Sequence, residues 1–265
     1  TFKKFTNWKV DEGPFIKIPY REAMEKYGID KPDLRNPLII QDVTKCFENS
    51  DFKAFEGKTI KAIIVPNGAE QGRKFFDKMT EFATSEEVGA KGLAWTKYEE
   101  SGDVTGGIAK FITDEIKEQL INEFGMTKNS SVFFIADEFK TAQKIAGLVR
   151  IELGKRLDLI DDSLFQFCWI VDFPMYELDD NGDLAFCHNP FSMPKGGLEA
   201  LNTMNPLDIT ADQYDIVCNG IELSSGAVRN HDPEIMEKAF EIVGYGKDVI
   251  EEKFSALYNA FQFGA

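Results

Sequence analysis

Residues 131–153 have the sequence SVFFIADEFKTAQKIAGLVRIEL and join a strand pattern directly to a helix pattern. The first part, 131–136, is apolar and rich in β-branched and aromatic residues, which is typical of a buried strand. Residues 137–153 then repeat apolar side chains at helical spacing, and Gly154 is predicted to end the helix. The side chains expected to face the core are Ala142, Ile145, Ala146, Val149 and Leu153.

Strand and helix patterns also alternate upstream of this pair. The predicted elements, in chain order, are a strand at 59–65, a helix at 70–82 with Phe75, Met79 and Phe82 inward, strands at 92–98 and 107–112, and a helix capped by Thr113 that runs to Phe124. The order β-α-β-β-α-β-α is typical of a split βαβ, ferredoxin-like α+β unit. We therefore expect residues 39–160 to form an autonomous module, preceded by a segment at 1–38.

The last third, residues 161–265, has a different pattern. Its predicted elements are a strand at 165–173, a hairpin that turns at Asn181-Gly182 and returns through 184–187, a strand at 214–223, a helix from Pro233 to Gly244 that is capped by Asp232, and a final helix carrying Ile250, Phe254, Leu257 and Phe261. Antiparallel strands followed by helices predict part of an α+β sheet. The fold class of the whole chain is therefore predicted to be α+β.

Composition and charge exclude several classes of protein. The chain has a formal net charge of -15, and residues 161–265 contribute 5 Lys and Arg against 19 Asp and Glu. Such an acidic surface argues against broad nucleic-acid binding by this third, and no DNA partner is expected. No apolar run is long enough to span a bilayer. Four scattered cysteines and no leader-like segment favour a reduced, cytoplasmic protein.

Two apparent ligand motifs have simpler explanations. The acidic run Asp179–Asp183 resembles the start of a calcium loop, but Leu184 occupies the position that requires glycine, so a hairpin turn is favoured. The glycines of 68–72 lack the spacing of a phosphate-binding loop and are better explained as a strand-to-helix turn.

Four polar residues in the last third are the one group that the sequence suggests as a binding or catalytic site. His188 ends a predicted strand and precedes a loop predicted to be mobile, whereas Asp215 and Glu222 bracket the strand at 214–223. Arg229 follows in a region poor in cations, and its guanidinium presents a planar fork that matches a carboxylate. Together these groups could hold a metal, an anion and a small zwitterion. The alternative is that they are ordinary solvated residues at strand ends.

Four strings give this constellation a family resemblance: YGIDKPDLRNP (27–37), WIVDFPMYE (169–177), HNPFSMP (188–194) and NGIELSSGAVRNHDPE (219–234). In this order and separation they resemble the catalytic domain of bacterial-type aspartyl-tRNA synthetases, which belong to class II. Residues 39–160 resemble the GAD insertion domain that splits that catalytic core. The resemblance thus predicts catalytic segments at 1–38 and 161–265 around the insertion.

The resemblance also implies roles for individual residues. His188 resembles the histidine of a loop that closes over aspartate, and Arg229 resembles the arginine that pairs with the aspartate side chain. Glu222 resembles an acidic residue that contacts ATP and Mg²⁺, with Asp215 as its companion on the metal. Because positions 215 and 222 differ by seven, one regular strand would put them on opposite faces, and we expect a bulge at Asn219-Gly220 to bring them together.

The implied activity is ATP-dependent ligation of L-aspartate to tRNA-Asp, with tRNA-Asn as a further acceptor left open. The partners implied are L-aspartate, ATP, Mg²⁺, tRNA and a second copy of the parent protein. The motif 1 helix, the motif 2 and motif 3 arginines of the class, and the anticodon-reading domain are not recognised here. The chain is therefore expected to be an internal fragment that is inactive alone. The alternative is a non-catalytic GAD-type module that binds tRNA or a protein through residues 40–160.

Overall fold

The computed structural model of the chain describes residues 2–179 and 181–263. The chain divides into two compact units, each made from two stretches of sequence. The first unit comprises Thr1–Val10 and Glu22–Gln166, and the second comprises Asp11–Arg21 and Phe167–Ala265. The predicted domain boundaries after residues 38 and 160 were drawn from sequence patterns, whereas the two units are defined by their compactness. The predicted boundaries therefore stay a prediction.

Both units contain strands and helices. The strands are β1 (Lys9–Val10), β2 (Ile16–Pro19), β3 (Ile40–Asp42), β4 (Thr59–Val65), β5 (Ala94–Tyr98), β6 (Val104–Thr105), β7 (Ser130–Asp137), β8 (Leu164–Phe165), β9 (Phe167–Pro174), β10 (Tyr176–Leu178), β11 (Leu184–Phe186), β12 (Thr210–Cys218) and β13 (Ile221–Ala227). The α-helices are α1 (Phe2–Phe5), α2 (Tyr20–Tyr27), α3 (Arg73–Ala83), α4 (Asp114–Asn122), α5 (Phe139–Arg156), α6 (Gly197–Thr203), α7 (Pro233–Ile242), α8 (Lys247–Lys253) and α9 (Ser255–Phe261). The α+β class is confirmed.

An antiparallel sheet in the order β3-β4-β7-β5-β6 forms the centre of the first unit. Its central pair, β4 and β7, is buried on both faces, which explains why the runs TIKAIIV and SVFFIA are almost continuously apolar. One face packs against α3 and α5, through residues such as Phe76, Met79 and Phe133. The other packs against α4 and single-turn helices, through residues such as Phe55 and Leu120. The unit thus has three layers.

A buried arginine fixes the segment before β3 to helix α5. Arg150 is 0% exposed, and its guanidinium donates to the carbonyls of Leu38 at 2.5 Å, Asn36 at 2.8 Å and Asp33 at 3.1 Å. The Asn36 amide returns a 2.9 Å bond to the Arg150 carbonyl, and the guanidinium carbon lies 4.9 Å from the centre of the Tyr27 ring. Burial lowers the pKa of Arg150 to about 10, so the group keeps its charge at neutral pH. The charge-assisted hydrogen bonds to these carbonyls replace the hydration that the guanidinium loses on burial.

The same segment approaches α5 through two glycines. A β-carbon on Gly28 would lie 2.6 Å from the Cα of Gly147, and one on Gly147 would lie 2.7 Å from the Gly28 carbonyl oxygen. Gly28 also has a φ of +71°, which residues with a side chain rarely adopt. Any larger residue at either position would separate the segment from the helix.

The second unit is built on a sheet in the order β13-β12-β9-β2. Strand β2 pairs in parallel with β9, whereas β12 runs antiparallel to both β9 and β13. Next to this sheet, β10 and β11 form the hairpin predicted around Asn181-Gly182, and Asp180 lies outside the described residues. Asp232 caps α7 by accepting from the backbone amides of Glu234 and Ile235, and Met236, Ala239 and Phe240 of this helix are buried.

Several element predictions are wrong, each for a physical reason. The strand predicted at 107–112 is a single-turn helix at Ala109–Phe111, because Gly106 and Gly107 turn the chain against Trp95. Gly154 does not end α5 but lies within it, where a β-carbon would be 2.4 Å from the Asn36 amide nitrogen. Glycine is therefore required at this position because Asn36 approaches the helix closely, and not because the helix ends there.

The strands predicted at 165–173 and 214–223 are both interrupted. The first divides at Gln166 into β8, which pairs with β1, and β9, which pairs with β2. The second is two strands, β12 and β13, joined by a turn. The final predicted helix likewise divides into α8 and α9 at Phe254. Apolar continuity alone does not reveal such breaks.

Replacement of Arg150 by leucine should destabilise the first unit by about 3 kcal/mol, because three carbonyls lose their donors inside the protein. The urea midpoint and amide hydrogen exchange of α5 would measure this loss. Arg156→Leu, on the same helix but paired with Glu152 near the surface, should cost only about 0.5 kcal/mol. Equal effects of the two substitutions would show that the buried carbonyl bonds do not stabilise the fold.

Candidate active site

Three of the four candidate residues are carried by the β12–β13 hairpin and the segment that follows it. Asn219 and Gly220 form its turn with φ values of +52° and +81°, the left-handed pair that a tight type I′ turn requires. Asn-Gly is the sequence most favoured in such turns because both residues tolerate positive φ. The bulge predicted at Asn219-Gly220 is therefore wrong, since these residues connect two strands.

The hairpin changes the relation between Asp215 and Glu222. Glu222 lies opposite Val217, and Asp215 lies opposite Ser225, with the register shifting between Ile216 and Val217. Because Val217 is two residues from Asp215 on the same strand, both carboxylates belong to one face of the sheet. On a single strand, residues seven apart would point to opposite faces of the sheet. On the two strands of this hairpin, Asp215 and Glu222 point to the same face.

The two carboxylates differ in their surroundings. Asp215 is 4% exposed and lies beside Ile170 of β9 in the sheet register, whereas Glu222 is exposed near the turn. A carboxylate so deep in an apolar sheet is costly unless a polar or charged partner compensates it. The pair therefore extends from the buried face of the sheet to the solvent.

His188 follows β11 and lies against aromatic rings of the same unit. Its ring centre is 4.9 Å from that of Phe173 on β9 and 5.5 Å from that of Tyr20, both in edge-to-face geometry. The backbone of His188 has a φ of +42°, a conformation that only the surrounding structure can hold in a residue with a side chain. The imidazole is exposed, so it is held in place by the two rings and accessible to a ligand.

Arg229 lies beside the loop that begins at His188. The backbone of Arg229 forms a β-bridge with Ser192, and the amide of Asn230 donates to the Phe191 carbonyl at 2.8 Å. The guanidinium is exposed, and its central carbon lies 5.9 Å from the centre of the Phe191 ring. These bonds bring the chain after His188 next to the chain that carries Arg229, although the two are far apart in sequence.

A lysine that was not among the predicted site residues fixes the same loop. Lys195 forms an ion pair with Asp172 and lies 3.7 Å from Asp212, and the hydrogen bond to Asp172 raises its pKa. Its amide also donates to the Thr210 carbonyl at 2.8 Å. The sequence offers one indication of this role, since Lys195 is one of only five cations among residues 161–265.

Backbone bonds on both sides hold residues 191–195 of the loop. Met193 donates to the Val228 carbonyl and accepts from the Asp212 amide, each at 2.8 Å. The loop predicted to be mobile thus includes a stretch that is paired with β12 on one side and with the Arg229 segment on the other.

Comparisons with known proteins identify the family of the chain. The family model described as tRNA synthetases class II (D, K and N) matches residues 1–265. The chain belongs to this family.

Curated relatives narrow the comparison to ligases for aspartate. The chain is 55% identical to an aspartate–tRNA ligase of Streptomyces avermitilis and 52% identical to one of Streptomyces coelicolor. It is also 52% identical to an aspartate–tRNA(Asp/Asn) ligase of Rickettsia felis. Each match covers 100% of this chain and 45% of the relative, so the chain spans less than half the length of the synthetases it resembles.

The donor set on the hairpin fits a magnesium ion shared with a substrate. Mg²⁺ prefers oxygen ligands and is usually held by one or two carboxylates together with substrate phosphates. Asp215 and Glu222 could supply two such carboxylates on one sheet face. Within residues 2–179 and 181–263, no group of three or more His, Cys, Asp or Glu is arranged to hold a metal ion.

One further structural finding concerns membranes. In the part of the chain that the structure describes, no helix combines the length and the apolar character needed to cross a bilayer.

Substitution of Gly220 by alanine should destabilise the second unit by about 1–2 kcal/mol, because a β-carbon at φ +81° is strained. Thermal unfolding followed by the fluorescence of Trp169, on β9, would report this change. Ser224→Ala is the control and should change the unfolding temperature little, since Ser224 is exposed on β13 of the same hairpin. If Gly220→Ala unfolds at the wild-type temperature, the turn does not constrain the hairpin.

Proposed function

We propose that this chain is part of an ATP-dependent aspartate–tRNA ligase. This part binds the amino acid and contributes some of the ligands of the metal site. The observation that carries the proposal is the Asn219-Gly220 hairpin, which presents Asp215 and Glu222 on one face and leads directly to Arg229. The 45% of each relative that aligns with this chain includes the hairpin, and those relatives are aspartate–tRNA ligases.

The reaction has two steps, neither of which needs a protein nucleophile. The α-carboxylate of L-aspartate attacks the α-phosphorus of ATP, which forms aspartyl-adenylate and releases pyrophosphate. A terminal ribose hydroxyl of tRNA then attacks the activated carbonyl, and AMP leaves. Such chemistry depends on positioning and charge stabilisation.

Arg229 is the residue we assign to the side-chain carboxylate of aspartate. Its guanidinium offers two parallel N–H groups, and a carboxylate accepts both, whereas the amide of asparagine accepts only through its oxygen. The Phe191 ring, 5.9 Å away, limits the space in which the guanidinium can turn. The same arginine would therefore both bind aspartate and select against asparagine.

His188 is the residue we assign to the loop side of the aspartate pocket. Phe173 and Tyr20 hold the imidazole edge-to-face, which leaves its polar atoms for a ligand. Lys195 supports this arrangement from the other end of the loop by its ion pair with Asp172.

Glu222, with Asp215, is assigned to the metal, and Glu222 also to ATP. A bound Mg²⁺ would neutralise phosphate charge during adenylate formation. The protein's part is to hold two carboxylates on one face of a stiff hairpin, so that the ion finds its ligands without a change of backbone conformation.

Residues 39–160 are proposed to be a GAD insertion domain within the class II catalytic core. Strands β4 and β5 are joined through α3 and are separated by β7, which runs antiparallel to both. This arrangement supports the split βαβ description of the module, and its two separate cores support autonomous folding. The parent's acceptor specificity for tRNA-Asp or also tRNA-Asn, its dimeric state and its cytoplasmic location stay predictions.

By itself the 265-residue chain should not form aspartyl-adenylate. Our reason is that the class II motifs that hold the ATP phosphates are not recognised in it, while the relatives are more than twice as long. Pyrophosphate exchange with aspartate and ATP is the direct assay. Exchange above the no-enzyme background would overturn the proposal that the chain is catalytically incomplete.

A chimera tests the site assignment. In it, residues 1–265 replace the matching region of the Streptomyces avermitilis relative, which is expected to restore aspartylation. Arg229→Ala in the chimera should lower kcat/KM for aspartate by about 30–150-fold, equivalent to about 2–3 kcal/mol for a lost charge-assisted fork. Arg73→Ala, with a side chain 88% exposed in the other unit, is the control and should change nothing. An unchanged KM for aspartate in the Arg229 variant would refute the assignment.

A further inference from the structure

The first unit contains a cavity that the proposed ligase activity does not use. It has a volume of about 300 Å³ and lies at the start of β5, where the chain enters the sheet. Protein interiors rarely contain spaces larger than a water molecule. A volume of 300 Å³ is instead at the lower end of the range found for small-molecule pockets.

Small residues create the space. Ala94 and Ala136 lie on β5 and β7, on the face of the sheet that also carries Phe134 and packs against the single-turn helix at Lys53–Phe55. Alanine at these two positions leaves unfilled the volume that larger residues occupy elsewhere on that face. The cavity is therefore encoded in the sequence of the sheet and does not result from a loose loop.

The cavity has an apolar inner end and a cationic outer end. Its buried lining consists of Phe55, Leu93, Ile108 and Phe134, each at most 8% exposed. At the outer end Lys58 is half-buried and Lys91 is 73% exposed. A ligand that fills such a space must combine an apolar body with a polar group that remains near the solvent.

The charge at the outer end favours a single negative charge. Asp137 lies 3.2 Å from Lys91 and neutralises one of the two lysines. Lys58 also acts on the Asp137 carboxylate, whose pKa is lowered chiefly by the Glu138 amide and further by the two lysines. Two lysines and one aspartate leave one net positive charge, which matches a monoanion.

We propose that this cavity binds a small monocarboxylate with an apolar body, of the aryl-alkyl or branched-alkyl class. The apolar body lies against Phe134, Leu93 and Ile108, and the carboxylate lies near Lys58. A protein side chain inserted from a partner is the competing occupant, but the cavity holds one ring and a short chain, which suits a free small molecule.

Calorimetric titration of the full chain with 4-phenylbutyrate tests the proposal, and 4-phenylbutan-1-ol serves as the neutral probe of equal length. The acid should bind saturably with a dissociation constant below about 10 mM, and the alcohol should bind about tenfold more weakly. Lys58→Gln should weaken binding of the acid about tenfold and leave the alcohol unaffected. The control Lys53→Gln, at an exposed lysine that does not line the cavity, should bind both probes as the wild type does.

Two substitutions that fill the cavity keep the test independent of folding defects. Ala54→Trp introduces a ring from the exposed end of the cavity, and Ala136→Leu fills it from the sheet. Each should abolish binding of the acid while the unfolding temperature stays equal or rises, since filling a void adds contacts. The proposal fails if the acid does not bind, if acid and alcohol bind equally, or if both filled variants fold and still bind.

Discussion

Parallel pairing between distant parts of the chain is the constraint on which both units depend. In the second unit, Ile16–Pro19 pairs with the stretch from Cys168 to Val171, and in the first, Lys9–Val10 pairs with Leu164–Phe165. Parallel strands need a long crossover connection, and here the crossover from β2 to β9 includes residues 22–166. The cost of closing so long a loop rises only by about 0.6 kcal/mol for each doubling of its length. A crossover that folds on its own cores can therefore grow to domain size while the sheet keeps its register.

The segment that leads into this crossover shows how a recognisable string can have a structural role. Residues 27–37 contribute Gly28, which contacts Gly147, and Asn36, which exchanges bonds with Arg150. These contacts belong to the first unit, so the string helps to fix the segment to α5. Likeness to a catalytic domain over a whole string thus does not make each of its residues catalytic.

Local patterns predicted most of the elements but not all, whereas contacts distant in sequence set the ends of the elements and their partners. The inward residues of α5 followed from spacing, and all five are buried. Arg150 lies one turn from Ala146 and Leu153 on that same face, but nothing local indicates the carbonyls that would receive it. Gly154 follows the last inward residue, as a helix-ending glycine would, but it lies within α5. It is glycine because Asn36 packs against it. The candidate site residues were chosen from their residue types and positions and were given roles by four strings that resemble a family, while the placement of Asp215 and Glu222 on a hairpin required the sheet register.

The charge of the last third of the chain indicates which ligands it favours. Residues 161–265 carry a net charge of -14, and two of their five cations, Lys195 and Arg229, belong to the loop and site. Two carboxylates and one exposed guanidinium suit a metal ion and the carboxylate of an amino acid. The same stretch has little positive charge to offset its acids, which disfavours contact with polyanions such as the polyphosphate of ATP or the backbone of tRNA. A carboxylate-rich stretch of this kind suits a cation, and a polyanion would approach it only together with cations that neutralise its charge.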